Sequence, residues 1–69
     1  MTLDAKQIFA LQRLASQPAG SMSAFAFLEL LDHSVAGGQD LLKNGLISLV
    51  ESPGKDVMIT QLGRDALGR

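Results

Sequence analysis

Residues 41–67, LLKNGLISLVESPGKDVMITQLGRDAL, read as the end of a helix, a strand, a tight loop, a returning strand and the start of another helix. Asn44-Gly45 is the stop: glycine adopts the left-handed backbone that closes a helix, and asparagine tolerates similar geometry. Residues 46–51, LISLVE, are apolar or β-branched and contain no breaker, which predicts a strand. Ser52-Pro53-Gly54-Lys55 predicts a turn. Pro53 presets φ at its second position, and Gly54 supplies the positive φ that a type II turn needs at its third. Residues 57–60, VMIT, form the returning strand, and Thr60 is placed to cap a helix over residues 61–67.

Upstream, residues 3–17 predict a first helix with Ala5, Ile8, Leu11, Leu14 and Ala15 at helical spacing. Lys6, Gln7, Gln12, Arg13 and Ser16 fill its other face, Thr2 or Asp4 caps its start, and Pro18 with Gly20 ends it. Gly20-Ser21-Met22 is a short extended link. Ser23 caps a second helix over residues 23–32, in which Ala24, Phe27, Leu28 and Leu31 share one face. Phe25 and Leu30 lie off that face. Either this helix is covered on more than one side, or these two belong to a subunit or partner surface. His33-Ser34 is a turn, and residues 35–44 predict a third helix with Val35, Gly38, Leu41 and Leu42 on its apolar stripe. Gly37 and Gly38 each cost about 1 kcal/mol against alanine inside a helix. Either the helix begins near Gly38 or the glycines permit close packing. The expected core is Ile8, Leu11, Leu14, Phe27, Leu28, Leu31, Leu41, Leu42, Leu46, Ile59 and Leu67.

A chain of 69 residues predicts a single domain over residues 1–69, and a domain of this size buries only about 60% of its unfolded surface. The 46% hydrophobic content supports a core and argues against disorder. There is no cysteine and a single histidine, so neither a disulfide framework nor a histidine-rich metal site is expected. No apolar run approaches the roughly 18 residues of a membrane span, and the N-terminus has no secretory pattern, so a cytoplasmic protein is expected. His33 reads as a polar turn residue. Ser23 and Ser34 read as caps rather than nucleophiles, since no G-x-S-x-G surrounds them. Gly37-Gly38 lacks the spacing and lysine of a phosphate loop, and Asp32, Asp40 and Asp56 lack calcium-loop spacing. No paired carboxylates or base–nucleophile set point to an enzyme, and no cofactor is expected.

The run LLKNGLI, a short hairpin and then MITQLGRDAL together resemble the second half of the winged-helix domain of MarR/PadR-type bacterial transcriptional regulators. In those families a recognition helix ends in Gly-Leu-Ile/Val, a two-stranded wing follows, and a Leu-Thr-x-x-Gly-Arg-x-Ala-Leu-like segment starts the next helix. Leu41, Gly45, Leu46, Ile47, Ile59, Thr60, Gly63, Arg64, Ala66 and Leu67 sit on that pattern, which covers about 27 of the 69 residues. The resemblance implies a mainly α fold with a small β-hairpin (α+β). This would be a winged helix-turn-helix of three helices plus a two- or three-stranded wing sheet, with Met22 in the place of its short first strand. It also implies double-stranded DNA as partner, in transcription regulation, with the third helix in the major groove and the wing on the backbone.

On that reading Gln39 faces adenine, Lys43 phosphate or guanine, and Lys55 at the wing tip a phosphate. Asp40 repels the backbone unless it accepts from cytosine, and Arg64 or Arg13 flanks the contact. Larger residues than Gly37 and Gly38 are usual in such repressors, and the long dimerisation helices of the MarR family do not occur in this sequence.

Charge argues for weak binding. Six Lys/Arg stand against seven Asp/Glu, a net charge of −1, whereas phosphate contacts and counterion release supply most non-specific DNA affinity. The alternative is a docking winged helix that binds a protein partner and no DNA. The apolar surplus, with Phe25 and Leu30 off the core stripe, predicts a weak homodimer at high concentration.

Overall fold

Seven elements follow one another: α1 (Ala5–Ala15), β1 (Ser21–Ser23), α2 (Ala24–Leu30), α3 (Val35–Lys43), β2 (Ile47–Val50), β3 (Asp56–Ile59) and α4 (Gln61–Leu67). They come from a computed structural model that describes residues 3–51 and 55–68. The turn expected at Ser52-Pro53-Gly54 and the cap alternative Thr2 lie outside those residues. Over the described residues the chain is thus a small α+β domain with four helices and a three-stranded antiparallel sheet in the order β1-β3-β2. The hairpin pairs Ile47 with Ile59 and Leu49 with Val57, and β1 pairs Met22 with Val57 across the other edge of β3. The extended link at Met22 is therefore a strand.

Caps set the helix boundaries. Asp4 starts α1 with its carboxylate accepting from the Gln7 N–H at 2.7 Å, and the Gln7 Oε1 accepts from the Asp4 N–H at 3.0 Å. The two satisfy each other's orphan groups as a capping box. Ser23, Ser34 and Thr60 cap α2, α3 and α4, each accepting from the N–H three residues on. At the end of α3, Gly45 takes φ +76, its N–H donates to the Leu42 carbonyl, and the Leu46 N–H donates to that of Leu41. This double closure is the Schellman geometry that the Asn44-Gly45 stop predicts. The end of α2 closes in the same way without a glycine: Asp32 and His33 take φ 59 and 62, and the His33 N–H reaches the Leu28 carbonyl. Left-handed backbone costs a residue with a Cβ about 1–2 kcal/mol.

The core is Ala10, Leu11, Leu14, Phe27, Leu31, Leu41, Leu46, Ile47, Val57 and Ile59, with Leu30, Leu42 and Leu67 partly buried against it. Several assignments from the periodicity change, among them Leu28, which lies outside the core, and Ala5, which is exposed. Ile8 is 37% exposed, while Ala10 is fully buried, because α1 turns its Gln7-Ala10-Leu11-Leu14 stripe inward. Gln7 is buried rather than on the polar face, its polarity satisfied by the capping box and by a donated bond from Nε2 to the Gly37 carbonyl at 3.1 Å. Leu30 is half-buried against the core rather than outside it. Val35 begins the α3 stripe but is 60% exposed.

Candidate functional site

Helix α3 is held at both ends and along one side. Ser34 caps its start, the Gly45 closure ends it, and the Gln7 side chain ties its first turn to α1. Both Gly37 and Gly38 lie inside the helix. A Cβ at Gly37 would sit 3.2 Å from the Ser34 Oγ, so the glycine allows close packing against the cap. With Leu41 buried, the opposite stripe of α3 is Ala36, Gln39, Asp40 and Lys43, all exposed. β2 follows directly and packs beside α3; of this stripe Gln39 lies on the side towards the sheet, while Ala36 and Asp40 lie on the side towards Asp4 and Gln7.

The sequence candidates divide between two places. Gln39, Asp40 and Lys43 share the α3 stripe, and Lys55 stands exposed just before β3. The Lys55 carbonyl accepts from the Ala24 N–H at 2.9 Å, which fixes the start of α2 to the loop end of the hairpin. Arg64 is elsewhere. Its guanidinium lies over Gly20, close enough that a Cβ there would come within 2.7 Å. Gly20 precedes β1, at the edge of the sheet away from β2, so Arg64 does not join Lys43. Lys6 is engaged by Asp32 at 2.6 Å, with both side chains largely exposed. The hydrogen bond and charge of the Lys6 ammonium hold the Asp32 carboxyl below the usual carboxylate range. In α3 and the hairpin two lysines, Lys43 and Lys55, stand against Asp40, Glu51 and Asp56 along the chain.

A second feature is apolar. A groove of about 190 Å³ lies between α2, α3 and the sheet, with Leu28 and Leu31 on one wall, Val35 and Leu42 on the other, and Leu49 and Val57 on the floor. Leu49 belongs to the inward face of the sheet, opposite Val57, yet is 48% exposed because the helices do not close over it. Gly38 contributes no side chain to the α3 wall. Phe25, on α2 one helical turn before Leu28, is 70% exposed and does not line the groove.

Gln7 is the positioning residue that periodicity misses. Its signal was present as Asp4-x-x-Gln7, the spacing of a capping box, which marks the glutamine as a backbone partner. Among the described residues no group of three or more His, Asp or Glu side chains stands close enough to hold a metal ion, and no helix is long and apolar enough to cross a membrane. Comparison of the chain with protein-family models, with curated proteins and with solved structures finds no match.

Proposed function

We propose that this chain is a winged helix that makes weak, accessory contact with duplex DNA through α3 and the hairpin. What supports the reading is one arrangement: a helix capped at both ends, packed beside a two-stranded hairpin, shows a solvent-facing Ala36-Gln39-Asp40-Lys43 stripe. The order α1-β1-α2-α3-β2-β3, with β1 joining the hairpin, is that of winged helices. The Gly-Leu-Ile and Thr-x-x-Gly-Arg residues of the resemblance hold the hairpin to the body in this arrangement. Gln39 has the amide that pairs with adenine, and Lys43 and Lys55 supply the phosphate contacts.

Two lysines set the strength. Each neutralised phosphate adds about one unit to the slope of log affinity against log salt. A shallow slope follows, with a dissociation constant at or above about 10⁻⁴–10⁻⁶ M at physiological salt. A salt-dependent titration against random duplex DNA tests this. Lys43→Ala is expected to weaken binding and flatten the slope by about one unit, and Asp40→Asn to tighten binding. Nanomolar, sequence-specific binding by the monomer would refute the charge argument.

A second reading, protein docking without DNA, is favoured by the open apolar groove and by the exposed Phe25 on α2. No binding to DNA at low salt would leave this reading in place.

A further inference from the structure

We propose that Asn44-Gly45 is a site of spontaneous deamidation that the folded helix end holds closed, so that Asn44 is converted to aspartate or isoaspartate only when the junction of α3 and β2 opens. This modification is independent of the DNA reading and is followed without DNA.

The chemistry is intramolecular. The Gly45 backbone nitrogen attacks the Asn44 side-chain carbonyl carbon, Cγ. The N–Cγ bond forms, the Cγ–Nδ2 bond breaks, and ammonia leaves with the proton that the Gly45 nitrogen gives up. Water then opens the resulting succinimide at either carbonyl. One route gives aspartate. The other gives isoaspartate, in which the main chain runs through the side-chain carboxyl. Glycine after the asparagine favours the attack, because no Cβ shields the nitrogen. Asn44 is the only asparagine in the chain, and it is exposed.

Three features of the fold block the attack. The Gly45 N–H donates to the Leu42 carbonyl at 3.1 Å, so its proton is engaged in the closure of α3. The Asn44 Nδ2 donates to the Asp40 carbonyl at 2.8 Å, which ties the amide back to the helix. The third feature is torsional. Ring closure needs the Gly45 nitrogen nearly eclipsed with the Asn44 Cβ. At ψ 5 that nitrogen instead eclipses Asn44's own backbone nitrogen, with Cβ rotated away. Thr60 pins the junction from outside: its hydroxyl donates to the Gly45 carbonyl at 2.6 Å and its N–H to the Leu46 carbonyl at 3.1 Å.

Either product acts on α3 once formed. It places a carboxylate beside Lys43 at the C-terminal end of the helix, where the dipole disfavours negative charge. It also removes the amide donor to the Asp40 carbonyl. Isoaspartate adds an atom to the main chain inside the Gly45 closure, so the bonds that end the helix lose their register. An opened chain that has reacted therefore recloses less well.

Ageing of the full chain at mildly alkaline pH, with and without guanidinium, reads the modification. Charge separation counts the acidic form, and peptide mapping tells aspartate from isoaspartate at position 44. The chain unfolded in guanidinium is expected to acquire both products at Asn44. The folded chain should acquire them at least about tenfold more slowly, since only the opened fraction reacts. Thr60→Val removes the bond to Gly45 and is expected to raise the rate in the folded chain roughly 5–30-fold. Should that variant not fold, the native chain in rising guanidinium replaces it, and its rate should follow the unfolded fraction. Asn44→Ser removes the reacting amide and should form no acidic species over the same period. Equal rates in the folded and unfolded chain overturn the proposal. So does an unfolded chain that keeps its Asn44 amide, a folded Thr60→Val chain that reacts no faster than the native one, or an acidic form that persists in Asn44→Ser.

Discussion

The junction where the hairpin meets α4 and the junction where α2 meets α3 sit on the same small sheet, yet they are closed by different means. At the first, the Thr60 hydroxyl accepts from the Gly63 N–H and donates to the Gly45 carbonyl, and the Thr60 N–H donates to the Leu46 carbonyl. A Cβ on Gly63 would collide with that same Leu46 oxygen. Backbone meets backbone there, with no room for a methyl group. At the second junction a groove stays open over Leu49, and the turn between the helices runs through two left-handed residues that are not glycine. The difference teaches where this fold tolerates change. The first junction is specified by backbone geometry, the second by side chains that leave space between them.

Substitutions sharpen or break that contrast. The largest expected effect is at Leu41, fully buried on α3: Leu41→Ala should cost roughly 2–5 kcal/mol, enough to unfold a domain of marginal stability. Leu28, half-buried on the groove, should cost about 1 kcal/mol when cut to alanine, since part of its surface is already wet. Equal urea midpoints for the two variants would erase the distinction between closed and open sides.

Glycine to alanine tests the same contrast by sign. Gly63→Ala should destabilise by about 1–3 kcal/mol or more, because the obstacle is backbone and does not yield like a side-chain end. Gly38→Ala should stabilise by up to about 1 kcal/mol, because its Cβ would meet only the Leu31 side chain at 3.5 Å while the helix gains propensity. Thermal melts that move in the same direction for both would break the comparison.

Thr60→Val removes a cap and the bond to Gly45 together, with an expected loss of about 1–2 kcal/mol in denaturant unfolding. The smallest effect is electrostatic. The Asp32 carboxyl has its pKa lowered in the folded chain by Lys6, so its contribution is present above the unfolded carboxylate pKa and fades as pH falls through the folded value. The pair is exposed, so the change is slight. Lys6→Ala should remove it, seen as a flatter dependence of melting temperature on pH in the acidic range.

What was legible in the sequence was what neighbours in the chain decide. The Gly45 stop, the Ser23 and Thr60 caps and the hairpin strands depend on residues within a few positions of one another, and each stands where the pattern puts it. The orientation of α1 was not legible. Ile8 is the larger side chain, but α1 packs through Ala10 and Gln7, a choice made by helices that arrive from elsewhere in the chain. Ile47 and Val57 were missed as core for a related reason: the outer face carries Val50 and Met58 beside Ser48 and Asp56, so alternation marks the inner face only weakly. The candidate stripe on α3 follows once Leu41 is fixed as buried. The separation of Arg64 from Lys43 depends on the sheet order, which no local pattern encodes.

The place of β1 also bears on how the chain folds. β2 and β3 are adjacent in sequence and pair by closing a short loop, a microsecond event in isolated hairpins. β1 joins the far edge of β3 with the whole of α2 and α3 lying between them in the chain. Its three residues contribute few bonds of their own, and closing so long an intervening segment is entropically costly. The sheet is therefore completed late, after both helices have collapsed onto the hairpin. The refolding rate should respond to Met22→Ala much less than the unfolding rate does.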